Sequence, residues 1–252
     1  MKIRLISAYI FLISFVTIVF STTAYGATEP PGISLTINGG GSPTSTANSL
    51  QVLLLITVIA IAPTILVMMT GFTRIIIVLS FVRNAIGLQQ TPPNQVLVGL
   101  ALFLTLFIMT PIINKISTDA YTPFTQGKIT QEQAIDTALK PLREFMLKQT
   151  NNTDINLFLD IGKRATPQSL DDVSTEVIIP AFITSELRRA FIIGFIIFLP
   201  FLIIDMVVAS TLMSMGMIML PPVMISLPFK IMLFVLVDGW GLIIKTLVTS
   251  FN

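Results

Sequence analysis

Residues 213–222 read MSMGMIMLPP and separate two long apolar segments, 191–212 and 223–248. Each segment carries one charge deep in its apolar run, Asp205 in the first and Lys230 in the second. A hairpin folded midway between these two charges turns inside the methionine run and brings the charges level. The stretch therefore predicts an antiparallel helical hairpin with methionines at its tip.

The tip carries a methionine at every second position. Methionine is unbranched and polarizable, so a group of methionines makes a soft, adaptable apolar surface. Gly216 inside the run and Pro221-Pro222 at its end favour irregular backbone, which is tolerated at membrane depth only when protein buries it or it lines a cavity. Core filling and a seal around a passing object both fit the four side chains, Met213, Met215, Met217 and Met219.

The two charges of the hairpin need partners. A charged side chain at a bilayer centre costs about 2.5–3.5 kcal/mol on insertion scales, so we expect Asp205 and Lys230 to pair with each other or with another subunit. One interpretation is a proton or ion relay. The other is a structural salt bridge that fixes the register of the hairpin, and it is favoured because a transporter usually carries more than one intramembrane acid.

The composition indicates an integral membrane protein. Hydrophobic residues make up 53% of the chain and charged residues only 11%, whereas soluble domains carry about 25% charged residues. The net charge of +2 and the lack of a basic patch with interleaved aromatic residues give no reason to expect a nucleic-acid partner.

The chain has no cysteine and no histidine, which excludes thiol nucleophiles, imidazole bases and Cys/His metal sites. It also lacks the GxSxG, HExxH and Walker A motifs. We therefore expect no catalytic residue, no metal and no cofactor, and a protein that is not an enzyme.

The beginning of the chain has the features of a signal peptide over residues 1–26. A positively charged start precedes an apolar stretch, and Ala24-Tyr25-Gly26 places small residues where cleavage requires them. An uncleaved anchor is the alternative. Residues 27–49, rich in Gly, Ser, Thr and Pro, predict a flexible linker.

The rest of the chain divides into three predicted parts. Residues 50–115 form a first apolar helical hairpin that includes a further helix over 72–88. Residues 116–190 hold most of the charged residues and predict a small helical periplasmic insert with a capping box at 130–133. Residues 191–252 form the second apolar hairpin with the Met-rich loop.

Two arginines, Arg74 and Arg83, lie between the first apolar stretches with no acidic residue nearby. The positive-inside rule places both on the cytoplasmic side and the insert outside. Glu186 comes just before the second hairpin and allows two roles. It can complement a helix dipole near an N-terminus, or it can pair with an arginine of another subunit.

Three blocks of the sequence resemble the FliP family of type III secretion export-gate proteins. They are MMTGFTRIIIVLS at 68–80 running on to QQTPPNQ at 89–95, PAFITSEL at 180–187, and PFKIMLFVLVDGW at 228–240. The resemblance covers residues 50–252. It implies an all-α membrane protein whose copies assemble, with FliQ-like and FliR-like subunits, into a ring-like or helical channel.

The resemblance also implies a function and a location. The function is that of a pore-forming core subunit of the flagellar export gate, which passes unfolded flagellar substrate proteins across the inner membrane at the basal body. FlhA-like and FlhB-like export components and a FliO-like assembly factor are further implied partners. The four methionines of the loop would form a gasket, and Phe145, Phe158 and Glu186 would lie at subunit interfaces.

Three other functions stay open. The corresponding subunit of a virulence-type injectisome is one, although those proteins usually lack a cleavable signal. An ion-coupled secondary transporter that uses Asp205 and Lys230 is another, but such folds show internal repeats and the two halves of this chain do not match. The third is a structural anchor for other export proteins.

Overall fold

The structure is a computed structural model that describes residues 43–251 except 89, 165, 166, 168 and 218. The predicted signal peptide and residues 27–42 of the predicted linker lie outside the described residues. Every regular element among the described residues is helical, which confirms the predicted all-α fold. The helices are α1 (Pro43–Met68), α2 (Phe72–Ile86), α3 (Asn94–Ile116), α4 (Thr122–Thr125), α5 (Gln131–Gln149), α6 (Asn152–Ile161), α7 (Thr175–Ser214), α8 (Pro222–Leu236) and α9 (Gly239–Thr249).

The chain divides into two compact units, Met1–Thr57 and Val58–Asn252. The first unit contributes the described residues 43–57, which are helical throughout and form the start of α1. α1 begins at Pro43, six residues before the predicted end of the linker. Proline suits the first turn of a helix because its missing N–H would have no intrahelical partner there. The helix continues through Pro63 without a break.

Within the second unit, α2 and α3 form an antiparallel hairpin, and α2 packs along α7. The helix predicted over 72–88 is present as Phe72–Ile86. A π-helical turn, Ser117–Tyr121, and the short α4 extend α3. The helix then ends at Gln126 and the chain enters the insert.

The insert is built on α5 and α6. The capping box predicted at 130–133 is present: Thr130 Oγ1 accepts from the Gln133 amide, and the Gln133 side chain accepts from the Thr130 amide. Both helices bury apolar side chains against the first turns of α7. The resulting core contains Met69, Met146, Ile155, Leu159, Val173, Val177, Ile178, Ala181 and Phe182.

The long helix α7 runs from Thr175 to Ser214 without interruption. It passes straight through residue 190, where the sequence predicts a boundary between the insert and the second hairpin. The two arginines at that point are good helix formers, and both contact the insert helices: Arg188 donates to Asp154 Oδ1 at 2.6 Å and Arg189 donates to Gln149 Oε1 at 2.7 Å. One helix therefore belongs to both predicted parts.

The segment after the methionine run is two helices rather than one. α8 and α9 are bent by 63° relative to each other. Asp238 sits at the bend in the left-handed conformation, with φ of 49°. The rings of Phe234 and Trp240, one on each side of the bend along the chain, pack edge to face with their centroids 5.4 Å apart.

A second core lies where α2, α3, α7, α8 and α9 meet. Its buried members are Ile75, Val78, Leu79, Val82, Ala85, Ile86, Leu97, Ala101, Ala190, Phe201, Phe234, Ile243, Leu247 and Phe251. Two helical stretches in the described part of the chain, Asn94–Thr125 and Thr175–Ser214, are long and apolar enough to cross a membrane, and the bent α8–α9 pair is a third if it counts as one span. This agrees with the predicted membrane protein.

Candidate functional site

The methionine run forms the turn between α7 and α8. α7 ends in a Schellman motif, in which the Gly216 amide donates to the Met213 carbonyl and the Met217 amide to the Leu212 carbonyl, both at 3.0 Å. The motif requires a left-handed residue after the helix, and Gly216 supplies it with φ of 75°. The turn therefore follows from the glycine that interrupts the methionines.

All four methionine side chains of the turn project outward. Their exposed fractions range from 42% at Met217 to 98% at Met219. Exposed large apolar side chains also line the apolar helices of this chain, and those of the turn are likewise free to contact lipid or another protein. Within this chain these four methionines do not fill a core.

Below the turn, the hairpin is closed by a polar triad. Lys230 Nζ donates to Asp205 Oδ2 at 2.6 Å, and Ser226 Oγ donates to Asp205 Oδ1 at 2.5 Å. The side chain of Lys230 is 3% exposed and that of Asp205 24% exposed. The two charges thus meet within one chain. Leu227 and Lys230 also face Gly87, where α2 ends, so the triad lies at the junction of three helices.

Ser226 is the member of this triad that the sequence prediction missed. A signal for it exists, because Ser226 precedes Lys230 by four residues and so shares its helix face. The Ser226 hydroxyl donates to one carboxylate oxygen of Asp205 and the Lys230 ammonium donates to the other, so both oxygens are hydrogen-bonded. This arrangement suits a fixed structural contact.

Glu186 has neither of the two roles that its sequence position allowed. It lies about three turns into α7, away from the helix N-terminus, because α7 begins eleven residues earlier. Its carboxylate forms an ion pair with Arg74 of the same chain, and both side chains are 0% exposed. A fully buried side chain has no surface to offer a neighbouring subunit, so the interface expected at Glu186 is not supported by this conformation.

Arg74 also corrects the predicted topology. Its Nη2 donates to Gln149 Oε1, at the end of insert helix α5, at 3.0 Å. Residues in contact cannot lie on opposite sides of a membrane, so Arg74 cannot be cytoplasmic while the insert is outside. The positive-inside rule counts charges in loops, whereas Arg74 is buried and neutralised by Glu186. Arg83 lies at the other end of α2 and donates to Asn94 Oδ1 at 2.6 Å.

The two aromatic interface candidates are partly buried within the chain. Phe145 lies between the two cores, with its ring centroid 5.9 Å from that of Phe182 and 6.3 Å from that of Phe251. Phe158 packs against the insert core. Each leaves part of its ring accessible, so a subunit contact at Phe145 or Phe158 stays a prediction.

The part of the chain that the structure describes contains no group of three or more His, Cys, Asp or Glu side chains that could hold a metal ion. The polar contacts of the site join helices to each other.

The sequence matches the sequence model of the FliP family over residues 55–247. The chain belongs to the FliP family. It is 56% identical over 217 residues to the flagellar biosynthetic protein FliP of Bacillus subtilis, which covers 86% of this chain and 98% of that protein. It is 55% identical over 214 residues to the FliP protein of Pectobacterium carotovorum, covering 85% and 82% of the two chains. It is 52% identical over 223 residues to that of Treponema denticola, covering 88% and 82%.

These matches confirm the resemblance that the three sequence blocks indicated. The match to the FliP family model includes the methionine turn, the Asp205–Ser226–Lys230 triad and Arg74. The residues that build the candidate site therefore lie inside the part of the chain that matches the family.

Proposed function

We propose that this chain is a pore-forming core subunit of the flagellar type III export gate and that unfolded flagellar proteins pass it on their way across the inner membrane. In this proposal several copies assemble with FliQ-like and FliR-like subunits. The four methionines of the turn line the narrowest part of the conduit. The observation that carries the proposal is the outward projection of all four side chains from a short turn.

The physical reason is the nature of the side chain. A seal that closes on itself and also accommodates polypeptides of varied sequence needs apolar side chains that change rotamer easily. Methionine meets this need because it is unbranched, has three rotatable bonds and adapts to irregular surfaces. The Asp205–Ser226–Lys230 triad supports the same function, because it fixes the register of the two helices that present the turn.

Crosslinking to a substrate tests the proposal directly. The chain has no native cysteine, so Met217→Cys introduces a single thiol into the turn. A stalled export substrate with one cysteine of its own should form a disulfide with this variant only while export is active. A matched Leu157→Cys variant, exposed on α6 of the insert, should not crosslink.

The opposite result has a clear meaning. If Met217→Cys supports full motility and never crosslinks to the stalled substrate, the turn lies off the export path. The chain would then act as a structural anchor for other export components, and the pore proposal would be wrong.

A further inference from the structure

Residues 250–251, which follow α9, bind in a pocket that α2, α5 and α7 build around Arg74. A buried arginine needs acceptors for five N–H donors, and all five have them. Nε and Nη2 donate to the two carboxylate oxygens of Glu186, the first at 2.9 Å, and Nη2 also donates to Gln149 Oε1 at 3.0 Å. Nη1 donates to the carbonyl and hydroxyl oxygens of Ser250, both at 2.9 Å.

Phe251 fills the rest of the pocket. The Arg74 guanidinium carbon lies 3.8 Å from the centroid of the Phe251 ring, within the range of a cation–π contact. Gln149 Nε2 donates to the Phe251 carbonyl at 3.0 Å. Gly71 lies at the tip of the ring, where an added Cβ would be 2.6 Å from Phe251 Cζ. The pocket is thus shaped for an aromatic residue.

This contact lies at the C-terminal end of α9, the helix that is bent relative to α8. α9 is turned 63° away from the direction of α8, and Asp238 at the bend holds a left-handed conformation that L residues rarely adopt. Contacts on both sides of the bend help to hold such a conformation. The Arg74 pocket supplies contacts at the opposite end of α9.

We propose that residues 250–251 act as an intramolecular latch. Bound to Arg74 and Gln149, they hold α9 against the helical core. They also fix the direction of α8, whose other end carries the methionine turn. Without the latch, α9 detaches from the core while the rest of the molecule stays folded. This role does not depend on what passes the methionine turn.

The single tryptophan of the chain makes the proposal measurable. Trp240 lies at the start of α9 and contacts Phe234, ten residues before the latch. Phe251→Ala removes the ring but leaves the Arg74–Glu186 pair and every backbone acceptor in place. In the full chain in detergent, we expect the amides of residues 239–251 to exchange hydrogen at least tenfold faster in this variant. We also expect acrylamide to quench Trp240 more strongly.

Arg74→Gln is the second variant; it should also speed exchange at residues 239–251, together with a general loss of stability because it leaves the buried Glu186 carboxylate without its countercharge. Arg164→Gln is the control, because Arg164 pairs with Glu176 at an exposed site of the insert. Exchange and quenching equal to the control in Phe251→Ala would show that the apolar contacts of α9 suffice, and the latch would be refuted.

Two further outcomes also decide the matter. Faster exchange spread evenly over all helices of Phe251→Ala would count against a latch, since a latch predicts a local change. If Arg74→Gln does not fold, the result for Phe251→Ala alone tests the latch. Phe251→Ala leaves no buried charge without a partner, so this variant should fold. None of these measurements depends on protein export, so the latch and the proposed pore are tested separately.

Discussion

Gly194 in α7 is pressed against Phe81 of α2. A Cβ built on Gly194 would lie 2.5 Å from the Phe81 ring, whereas one built on Gly99, in the second turn of α3, would meet nothing within 4 Å. The two glycines therefore differ in purpose, although both sit inside helices. At Gly194 the missing side chain lets α2 and α7 approach closely.

Gly194→Ala and Gly99→Ala should consequently have opposite effects. Alanine is favoured over glycine inside a helix by about 1 kcal/mol, so Gly99→Ala should leave the stability unchanged or raise it slightly. Gly194→Ala should lower the free energy of unfolding by about 1–3 kcal/mol, the usual cost of overpacking. Thermal unfolding in detergent, followed by circular dichroism, measures both. Equal effects would mean that the α2–α7 contact has room for a methyl group at position 194.

Two glutamates that pair with arginines make a second residue-scale comparison. Glu186→Ala leaves the guanidinium of Arg74 buried without a countercharge, and breaking a buried pair in this way typically costs about 3–5 kcal/mol. Glu176→Ala breaks the exposed pair with Arg164 and should cost less than about 1 kcal/mol. Urea unfolding of both variants gives the difference. A small loss at Glu186 would mean that water reaches Arg74.

Single residues also show how far the sequence could be interpreted. Asp205, Lys230 and Arg74 all stand out as charges among apolar residues, and a hairpin pairs the first two because its midpoint is visible in the sequence. Glu186, the partner of Arg74, lies 112 residues away. No local pattern relates positions so far apart, because their contact depends on how separate helices pack.

At the scale of elements, the α7–α8 hairpin depends on its polar triad. Lys230→Met leaves Asp205 with only the Ser226 hydroxyl, so we expect a loss of about 3 kcal/mol. Adding Asp205→Leu removes the stranded carboxylate and should restore most of that stability, because the single hydroxyl hydrogen of Ser226 can then be donated to the Val223 carbonyl, 3.1 Å away. A double-mutant cycle measures this coupling. If the two losses simply add, the charges do not interact.

The methionine turn leads to a prediction about leakage. Replacing Met213, Met215, Met217 and Met219 together by alanine shortens each side chain and leaves the Schellman motif of Gly216 intact. If the methionines form the gasket that we propose, cells with this variant should leak ions while they still export flagellar proteins. Ion conductance and swimming are the two readouts. Unchanged conductance would refute the gasket.

Helix ends and helix continuity were not equally predictable. The start of α5 follows from the Thr130 capping box, and the end of α7 follows from Gly216, because both signals lie within a few residues of the boundary. The run of α7 through residue 190 was missed because a change from polar to apolar surroundings resembles a boundary in the sequence. Arg188 and Arg189 change the environment of the helix but do not interrupt it.

For the whole molecule, the contact between Gln149 and Phe251 determines which parts of the chain lie on the same side of a membrane. A hydrogen bond of 3.0 Å joins them, so residues 149 and 251 face the same compartment. The chain between them must then cross a membrane an even number of times. Either both α7 and the bent α8–α9 pair cross the membrane, or neither of them does.

Cysteine labelling tests this count. Lys128→Cys in the loop before α5 and Thr249→Cys at the end of α9 both place a thiol at an exposed position of a chain without native cysteine. A membrane-impermeant maleimide should label both variants from the same side of intact cells. Permeabilised cells provide the control for total reactivity. Labelling from opposite sides would contradict the contact between α5 and residue 251.

Arg74 and Gln149 are also in contact, so the chain between them must likewise cross a membrane an even number of times. α2 and α3 must therefore return to the face from which they entered. The 15 residues of α2 rise about 22 Å at 1.5 Å per residue, which is less than the hydrocarbon thickness of about 30 Å. We therefore expect this hairpin to dip into the bilayer rather than to traverse it twice. The number of apolar stretches in this chain then exceeds the number of times that the chain changes compartment.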